Sequence, residues 1–566
     1  MTDTMLKYNP LKVGLLIDDI SFCPRWIEDS LSYVLRENII DIVKVITPKN
    51  KFVEKEPFSK KLSFNGIGRR IYWRFNSFDY SKFVSPESNG PDAQKSINNP
   101  FNIDSAHIYE VDVLRKSYYD HFSDDAISNI KDLKLDVILR FGFRILRGEI
   151  LNVARLGIWS FHHGDPSEFR GGPAGFWETY QDKKHAGFIL QRLKSELDAG
   201  EILASGNVGV VPFSPAMTRN RLLWAGGAIL VQALKAAQRG LPYQHHSAKK
   251  IQKKNGKIYR EPSIFYSIGI IVKTTYRRLK ELNRFKLDHW YIILNKASKG
   301  DIFSKSSKTN LIKAPKGAFW ADPCLFEYKD NIYLFFENYD YIRNTANIQV
   351  ARVNKNTLSI ESPSTVIDEK FHLSNPILIE EEGKIYLIPE SSQSGNILLY
   401  ECDEFPYKWK SGKVLINSIH AADPVLFKKY GFWWLFCTIA PKKGTTAHSC
   451  LNLWYSKSLD GPWEEHPMNP IVNDINGGRM AGKIFERVEN NQSKIIRPAQ
   501  SALEGYGSGI MFFEILTLTP KLYKEKLKIA YSGRDLGYDG VHAYSNAGDI
   551  EAIDVKKRVF KSSVIV

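Results

Sequence analysis

Residues 160–173 gather several side chains that can do chemistry in one short segment. The segment reads Ser160-Phe-His-His-Gly-Asp-Pro-Ser-Glu-Phe-Arg-Gly-Gly-Pro. Two adjacent histidines are often metal ligands, but no third ligand follows at helical or hairpin spacing, so no metal is predicted. A histidine at a strand end is often structural. Beside a carboxylate, however, it can donate to a developing oxyanion and move a proton.

Three later segments repeat a pattern in which Asp or Asn precedes Pro at the start of an apolar strand. The segments are residues 320–338, 374–391 and 421–438, and they begin 54 and 47 residues apart. This period is typical of the four-stranded blades of a β-propeller. Residues 496–515 are interpreted as a fourth, more degenerate copy. Asp or Asn before Pro can also simply cap a turn that enters a strand.

The first segment resembles the signature N-x-H-x-S-L-L-P-x-x-R-G of the formyltransferase family, in register from Ser160 to Arg170-Gly171. Further on, LKSELDAGEIL resembles the L-D-x-G-x-[IVL] segment of that family. The resemblance covers residues 12–240 and implies a Rossmann-like formyltransferase domain. It also implies 10-formyltetrahydrofolate as the cofactor, His162 as the oxyanion donor and Asp198 as the orienting carboxylate that accepts the proton.

Ser160 departs from this signature, because the family has its catalytic asparagine there. Loss of one oxyanion donor typically lowers the rate by about 10²–10³. Ser160 is therefore predicted to be a catalytic residue beside His162 and Asp198. The predicted substrate-binding residues of the same segment are His163, Asp165, Arg170, Gly171 and Gly172.

The repeats resemble the five-bladed propeller of arabinanase- and levansucrase-type glycosidases. They also resemble the propeller region of glucosamine inositolphosphorylceramide transferases, through WADPCLFE, LWYSKSLDGPW and IRPAQ. The resemblance implies that the Asp side chains of the A-D-P segments point into a central funnel, and glycoside chemistry requires carboxyl groups that meet in this way. The sugar contacts predicted for the propeller are Asp322, Glu390, Asp423 and Arg497. The candidates for a general acid are Glu337, Glu390 and Glu514.

The remaining sequence predicts the elements that must position these residues. Residues 12–47 read as strand, helix and strand, which opens an α/β unit with a parallel sheet. We assign residues 1–240 to this domain, with a polar surface insertion at 50–104. Residues 241–285 are assigned to a basic connector, and 286–566 to a five-bladed β-propeller. The predicted fold class is thus multidomain, α/β followed by all-β. The aromatic content of 13% suits both blade cores and sugar stacking by Trp320, Trp433 and Trp434.

Composition limits the function classes. Of the 566 residues, 43% are hydrophobic and 25% are charged, which are ordinary globular values. The five cysteines are scattered, so neither a disulfide framework nor a structural zinc site is predicted. The start of the chain does not read as a secretory signal, and no apolar run is long enough to span a bilayer. We expect a cytoplasmic protein.

The net charge of +16 is concentrated between residues 245 and 315. A basic connector that is simply solvated accounts for it, and so does contact with diphosphate groups or with the anionic inner face of a membrane. The second hypothesis makes Lys249, Lys250, Lys253 and Lys254 the contact residues. No zinc knuckle or RNA-binding signature favours nucleic acid as a partner.

Together these features predict formyl transfer to an amino group of a sugar-containing acceptor, either a small molecule or lipid-linked, in surface-glycan biosynthesis. In this interpretation the propeller binds the glycan. Two alternatives stay open. In one, the propeller itself is a glycosyltransferase or glycoside hydrolase. In the other, the chain is a glycan-binding scaffold without catalysis. Since a fold alone does not identify a function, the site geometry has to separate them.

Overall fold

The computed structural model divides the chain into two compact units, Met1–Lys280 and Glu281–Val566. The residues that the structure describes are 8–19, 22–49, 64–84, 94–96, 105–116, 119–195, 200–243, 258–281, 286–297, 302, 309–439 and 448–565. Over these ranges, none of the helices is both long and apolar enough to cross a membrane.

The first unit is built on a mainly parallel sheet. Its strands, in chain order, are β1 Leu11–Leu16, β2 Phe22–Pro24, β3 Ile40–Pro48, β4 Gln94–Ser96, β5 Ile108–Val111, β6 Val113–Lys116, β7 Tyr119–Phe122, β8 Val137–Arg140, β9 Ile145–Leu146, β10 Ile158–His162, β11 Arg170–Gly171, β12 His185–Arg192, β13 Glu201–Gly209 and β14 Ile258–Tyr259. The central sheet has the order β13-β12-β10-β8-β1-β3-β5. Strands β10, β8, β1, β3 and β5 are parallel, whereas β12 and β13 pair antiparallel.

Helices cover both faces of this sheet. They are α1 Arg25–Arg36, α2 Phe64–Phe83, α3 Asp124–Asp132, α4 Phe176–Tyr180, α5 Pro215–Arg239 and α6 Ile264–Glu281. One buried cluster joins α1 and α5 to the sheet, and a second joins α3 to its other face. The Ser214 side chain caps α5, and Gly240 ends it at a φ of 64°. The predicted α/β class agrees with this architecture, while the formyltransferase assignment stays a prediction.

The region predicted as a polar insertion contains a regular helix. Helix α2 buries Tyr72, Phe75 and Asp79 against the unit. The Asp79 carboxylate accepts hydrogen bonds from Ser214 Oγ and the Ala216 N–H at the start of α5, both at 2.9 Å. Exposed residues such as Trp73 and Phe78 blur the periodicity of the helix, so its sequence does not read as amphipathic.

The described part of the predicted basic connector belongs to the first unit. Strand β14 pairs with β11, and α6 packs through Ile270 on a cluster that it shares with α2 and α4. The compact unit extends to Lys280, about forty residues beyond the predicted end of the α/β domain. The four lysines predicted as contact residues lie outside the described residues.

The second unit consists of five antiparallel sheets. Their strands are β15 Lys286–Lys296, β16 Thr309–Ile312, β17 Ala318–Tyr328, β18 Asn331–Asp340, β19 Thr345–Val353, β20 Ser364–Ile367, β21 Ser374–Glu381, β22 Lys384–Glu390, β23 Ile397–Glu404, β24 Lys408–Trp409, β25 Lys413–Ile416, β26 Ala421–Lys429, β27 Phe432–Ile439, β28 Cys450–Ser456, β29 Glu464–Glu465, β30 Val472–Asn473, β31 Asn476–Met480, β32 Phe485–Glu489, β33 Gln492–Ser501, β34 Gly509–Leu518, β35 Tyr523–Ser532, β36 Gly540–Ala547 and β37 Ile550–Phe560. A short helix, α7 Lys561–Val564, follows.

These sheets are the blades of a five-bladed β-propeller. Strands β17–β20, β21–β25, β26–β30 and β31–β35 form blades one to four. The fifth blade combines β36 and β37 with β15 and β16 from the start of the unit, so pairing of β15 with β37 closes the ring. The first blade also lies beside the fifth through β17 and β36. The predicted propeller is confirmed.

The three predicted repeats coincide with the first two strands of blades one to three. The predicted position of the fourth copy is wrong. Residues 496–515 span β33 and β34, which are inner members of the fourth blade, and its innermost strand is β31. The Pro in IRPAQ imitates the repeat, but Arg497 and Pro498 pair regularly with β34 and form no bulge.

Candidate functional site

The D/N-P repeats are β-bulges at the starts of the innermost strands of three blades. Asp322, Asn375 and Asp423 have φ values of 51°, 43° and 47°, and the ladder register shifts at each of them. Asn and Asp tolerate this left-handed conformation better than other non-glycine residues. A bulge also re-aims side chains, so these three polar groups turn out of the ladder and into the funnel.

Carboxylates link the bulges of neighbouring blades. The Asp322 N–H donates to Asp554 Oδ2 at 2.9 Å, and the Asn375 N–H donates to Asp322 Oδ2 at 3.0 Å. The Asp423 N–H donates to Glu390 Oε2 at 3.0 Å. Asp322, Glu390 and Asp423, which the sequence predicts as sugar contacts, therefore lie in two hydrogen-bonded groups, one that contains Asp322 and Asp554 and one that contains Glu390 and Asp423.

The fourth blade contributes a cation to the second of these groups. Arg479 lies in the irregular part of β31, and its Nε donates to Asp423 Oδ2 at 2.6 Å. Its Nη2 lies 3.3 Å from Glu390 Oε2. Gln500 Nε2 also donates to Asp423 Oδ2, at 2.8 Å. Sequence reasoning missed Arg479, because its Asn-Gly-Gly-Arg strand carries no D/N-P signal.

The fifth blade contributes His542, which lies in a bulge at the same place in β36. Its Nδ1 is 2.7 Å from Asp554 Oδ2, and its Nε2 is 3.4 Å from Asp322 Oδ1. The segment Val-His-Ala has no Pro, so the repeat could not be recognised from sequence. Asp322, His542 and Asp554 are also close enough to share a metal ion.

The charges at His542 favour an imidazolium over a metal ligand. Burial acts to lower the pKa of His542, but the charges of Asp554 and Asp322 outweigh it and raise that pKa. Burial raises the pKa of Asp322 to about 6, although His542 lowers it. Both ring nitrogens already face carboxylates, whereas a metal needs one of them as a free lone pair.

The other carboxyl groups of the funnel differ widely in pKa. Burial, together with the charge of Asp423, raises the pKa of Glu390 to about 8. Burial and the neighbouring carboxylates, led by Asp322, raise the pKa of Glu337 well above its ordinary value. Burial acts in the same sense on Asp423, but the charge and hydrogen bonds of Arg479 outweigh it and lower the pKa of Asp423. A protonated and an ionised carboxyl group thus lie side by side at neutral pH.

Aromatic rings border the charged cluster. Trp290 stacks on His542 with ring centroids 4.0 Å apart, and the Arg479 guanidinium lies 5.1 Å from the centroid of Tyr506. Tyr506 is 40% exposed, so it is the aromatic surface of this cluster that a ligand can reach. The predicted stacking residues, Trp320, Trp433 and Trp434, are instead buried.

Two predicted propeller residues do not reach the funnel. Arg497 is fully buried within its blade, where Nε and Nη2 bind both oxygens of Glu525 at 2.7 Å. Glu514 accepts from Lys494 on the neighbouring strand β33. The structure therefore gives Arg497 a structural contact and leaves Glu337 and Glu390 as the general-acid candidates within the funnel.

Two of the three residues predicted as catalytic in the first unit, Ser160 and His162, line a cavity of about 640 Å³. Ser160 and His162 contribute from the end of β10, and Arg170 and Gly171 from β11. The other lining residues are Tyr119, Arg140, Ile145, Leu146, Phe161, Gln191, Leu193, Lys194, Gly200, Ile258 and Arg260. None of the described residues that line the cavity is acidic, whereas four are Lys or Arg. An anionic ligand suits this lining.

Hydrogen bonds orient the two predicted catalytic residues. His162 Nε2 lies 2.9 Å from the Phe169 carbonyl oxygen, which can only accept, so Nε2 carries the proton. Ser160 Oγ accepts from Arg140 Nη1 at 2.9 Å. Arg140 comes from the end of β8 and was not predicted. A charged residue at the end of an otherwise apolar strand is the sequence feature that could have identified Arg140 as a site residue.

Strand alternation separates the adjacent histidines. Ser160 and His162 face the cavity, whereas His163 stacks on Phe161 at 5.7 Å and meets the edge of Trp26 at 5.5 Å. Burial, followed by the charge of His162, lowers the pKa of His163 to about 3. The prediction that His163 binds substrate therefore conflicts with its aromatic packing on the other face of β10.

The remaining predicted residues of this segment shape its loop. Asp165 Oδ1 accepts from the N–H and Oγ of Ser167, which is a turn contact. The Gly172 N–H donates to the Tyr259 carbonyl oxygen at 3.2 Å. Neither Asp165 nor Gly172 lines the cavity. Asp198 lies outside the described residues.

Comparison with known proteins finds relatives of the propeller. Residues 303–551 match the family described as "Glucosamine inositolphosphorylceramide transferase 1, N-terminal". The Glucosamine inositolphosphorylceramide transferase 1 of Oryza sativa subsp. japonica is 34% identical over 209 residues, which is 37% of this chain and 27% of that protein. The protein of that name from Arabidopsis thaliana is 32% identical over the same lengths. The chain spans about a quarter of the length of these relatives.

Solved structures with a similar region include glycoside hydrolases. An exo-beta-1,3-galactanase from Clostridium thermocellum has a TM-score of 0.32 at 14% identity, covering 41% of this chain and 52% of that chain. An alpha-L-arabinanase of Cellvibrio cellulosa complexed with arabinohexaose has a TM-score of 0.27 at 15% identity, covering 37% and 77%. The family match confirms the resemblance of the propeller to the plant transferases. The formyltransferase resemblance stays a prediction.

The close packing around Gly171 can be tested by comparing the stability of two Gly→Ala variants. Gly171 and Gly148 both have a φ of 86°, but a Cβ at Gly171 would lie 2.1 Å from the Tyr259 carbonyl oxygen, whereas a Cβ at Gly148 meets nothing within 4 Å. We expect Gly171→Ala to lower the free energy of unfolding by about 1–3 kcal/mol more than Gly148→Ala. Urea denaturation followed by fluorescence measures the difference. Equal losses would contradict the close pairing of β11 with β14.

Arg497 offers a test of its structural role. Arg497→Met leaves the Glu525 carboxylate buried without a cation, with only the Tyr523 hydroxyl still donating to it, so we expect a loss of about 3–5 kcal/mol in the free energy of unfolding. The double variant Arg497→Met/Glu525→Leu removes both charges and should recover part of this loss. Urea denaturation of both variants gives the comparison. If Arg497→Met is as stable as the wild-type protein but binds sugar more weakly, Arg497 contacts the ligand and its structural role is wrong.

Proposed function

We propose that the chain acts on a sugar-containing substrate in the funnel of its propeller, where paired carboxyl groups carry out glycosyl chemistry. The observation that carries this proposal is the separation of pKa values between neighbouring groups. Glu390, whose pKa is about 8, lies beside the ionised Asp423, and Asp322 is near enough to interact electrostatically with Asp423. Cleavage of a glycosidic bond uses two carboxyl groups with different pKa values, one protonated and one ionised.

The roles follow from protonation and access. Glu390 is protonated at neutral pH and, with Arg479 and Tyr506, lies where the cluster opens towards solvent. It is therefore the proposed general acid, which gives its proton to the oxygen of the leaving group. Asp322 is mostly ionised at neutral pH and is the proposed base or nucleophile. Asp423, held by Arg479, positions Glu390, whose Oε2 accepts from the Asp423 N–H.

The substrate class comes from the relatives of the propeller. Their name joins glucosamine to inositolphosphorylceramide, which is a sugar and a phosphorylated lipid. A sugar attached to a phosphorylated lipid is accordingly the proposed substrate of this chain. The Tyr506 face supplies a surface on which a sugar ring can stack.

The general acid can be tested with alkyl glycosides, whose poor leaving groups need a proton. Product sugar is measured by chromatography over a panel of alkyl glycosides and oligosaccharides. We expect Glu390→Gln and Asp322→Asn to lower turnover by about 10²–10⁴-fold. Glu514→Gln is the matched control, because Glu514 is also a strand glutamate but lies outside the funnel. Turnover should fall as the pH rises through about 8, since Glu390 then loses its proton.

The pH profile of the Glu390→Gln variant separates the alternatives. The amide cannot titrate, so the alkaline fall in any residual turnover should vanish. Binding of sugars without turnover, at any pH, would overturn glycosyl chemistry and support the glycan-binding scaffold. Equal losses in Glu390→Gln and Glu514→Gln would remove Glu390 from its role.

We propose, as a second candidate function, formyl transfer to an amine in the cavity of the first unit. The favouring observation is that Ser160, His162, Arg170 and Gly171 all line one cavity of about 640 Å³. Its volume and its basic lining fit a folate with its carboxylates. When bound, 10-formyltetrahydrofolate would supply the formyl group, and Arg170 is among the residues that would hold it.

The chain's own residues would stabilise the charge that develops on the carbonyl oxygen. Ser160 replaces the family asparagine, but Arg140 donates to Ser160 Oγ and therefore brings a guanidinium to the same place. His162, held by Phe169, is the second donor. Preorganised donors of this kind act on the transition state. Asp198, predicted to accept the proton of the amine, is part of the proposal without a described position.

Arg140 can be tested by loss and rescue. We expect Arg140→Met to lower formyl transfer to an amino sugar by about 10²–10³-fold, because one oxyanion donor is lost. Arg140→Met/Ser160→Asn should recover most of the rate, since the family residue then supplies the donor. Arg155→Met, which removes an exposed partner of Asp136, is the control. Calorimetry with a stable 10-formyltetrahydrofolate analogue accompanies the assay. No binding at millimolar analogue would end the formyl-transfer proposal.

A further inference from the structure

The outer face of α6 carries a stripe of exposed apolar side chains. Ile268, Val272, Tyr276 and Leu279 recur every three or four residues, which places them on one side of the helix. Their exposed fractions are 49%, 62%, 65% and 64%. Isolated exposed apolar residues are ordinary, but a continuous stripe of this kind marks an interaction surface.

Helix α2 lies beside α6 and runs in the same direction. Ser267 Oγ donates to the Gly68 carbonyl oxygen at 2.9 Å, and eleven residues further along each helix Arg278 binds Asp79. Tyr72 and Phe75 of α2 share a buried cluster with Ile270 of α6. Because both helices pack inwards on the same cluster, their outer faces lie on the same side of the first unit.

The outer face of α2 is aromatic and mainly basic, with one neighbouring acid, Glu261, which accepts from Trp73 Nε1 at 3.1 Å. Trp73 and Phe78 are 44% and 55% exposed, and Arg74 and Lys82 are exposed beside them. The only acid of α2, Asp79, is buried. Helix α6 is similar, since its one acid is the terminal Glu281, while Lys280 is exposed next to Leu279. We name these outer faces of α2 and α6, together, the two-helix face.

We infer that the two-helix face binds the surface of an anionic lipid bilayer. Apolar and aromatic side chains flanked by Lys and Arg, on helices that lie flat on a protein, are the composition of an interfacial membrane anchor. The charge of the face is complementary to anionic headgroups, and the chain as a whole carries +16. This inference does not depend on the chemistry of either proposed site.

Lipid binding would combine two contributions. Val272, Tyr276 and their neighbours would enter the boundary between headgroups and acyl chains, which is driven by burial of apolar surface and does not depend on salt. Arg74, Lys82 and Lys280 would contact headgroups, and this contribution weakens as salt rises. Binding should therefore need anionic lipid and fall with salt.

The experiment is co-sedimentation of the full chain with phosphatidylcholine vesicles, with and without phosphatidylserine. We expect binding to the phosphatidylserine vesicles, reduced about tenfold or more by Val272→Asp/Tyr276→Asp and also by Arg74→Glu/Lys82→Glu. The matched control is Ile342→Asp/Val488→Asp, which makes the same kind of change at apolar residues of the second unit that are 75% and 73% exposed.

Several outcomes would overturn the inference. Unchanged vesicle binding by Val272→Asp/Tyr276→Asp would show that the stripe does not meet lipid. Lower stability of that variant with unchanged vesicle binding would mean that another part of the chain covers the stripe. If the wild-type chain does not bind vesicles but forms a dimer that Val272→Asp/Tyr276→Asp cannot form, the two-helix face is a protein interface. Circular dichroism of each variant confirms that it is folded.

Discussion

The left-handed backbone at the entrance of the innermost strands is the constraint on which the propeller site depends. At Asp322, Asn375 and Asp423 a positive φ breaks the ladder and turns both the side chain and the N–H towards the axis. The N–H then needs an acceptor, and a carboxylate of the preceding blade provides it. The same geometry that joins the blades therefore also gathers acids at the axis.

Gathering acids in a buried place has an electrostatic consequence. Like charges at close range cannot all be ionised, so some groups keep their protons while others find cations. Arg479 and His542 favour Asp423 and Asp322 as anions, whereas Glu390 stays protonated at neutral pH and the pKa of Glu337 is raised well above its ordinary value. A requirement of folding has thus placed protonated and ionised carboxyl groups near one another in the funnel. The chemistry proposed for the funnel follows from this division.

Sequence reasoning recovers what depends on local pattern and misses what depends on three-dimensional neighbours. The repeats, the blades that they define and Asp322 and Asp423 follow from the D/N-P pattern and strand periodicity. His542 occupies a bulge at the corresponding place in β36, but its φ is not positive, and with no Asp-Pro pair nothing in the sequence marks it. Arg497 shows the converse, because a Pro in a regular strand imitates the repeat.

The same distinction holds in the first unit. Of the described residues that the motif assigns to one site, four line one cavity, namely Ser160, His162, Arg170 and Gly171. His163, Asp165 and Gly172 do not line it. Alternation along β10 would have separated His162 from His163, had the end of the strand been known. Arg140 lies twenty residues before Ser160, and only the parallel pairing of β8 with β10 makes them neighbours.

Charge divides the molecule in a way that bears on its substrate. The funnel concentrates carboxyl groups, whereas the cavity of the first unit and the two-helix face concentrate Arg and Lys. Neutral sugar hydroxyls and a leaving oxygen that needs a proton suit an acidic funnel. Phosphate groups and anionic headgroups suit the basic surfaces. The proposed substrate, a sugar attached to a phosphorylated lipid, contains both a sugar of the first kind and an anionic group of the second.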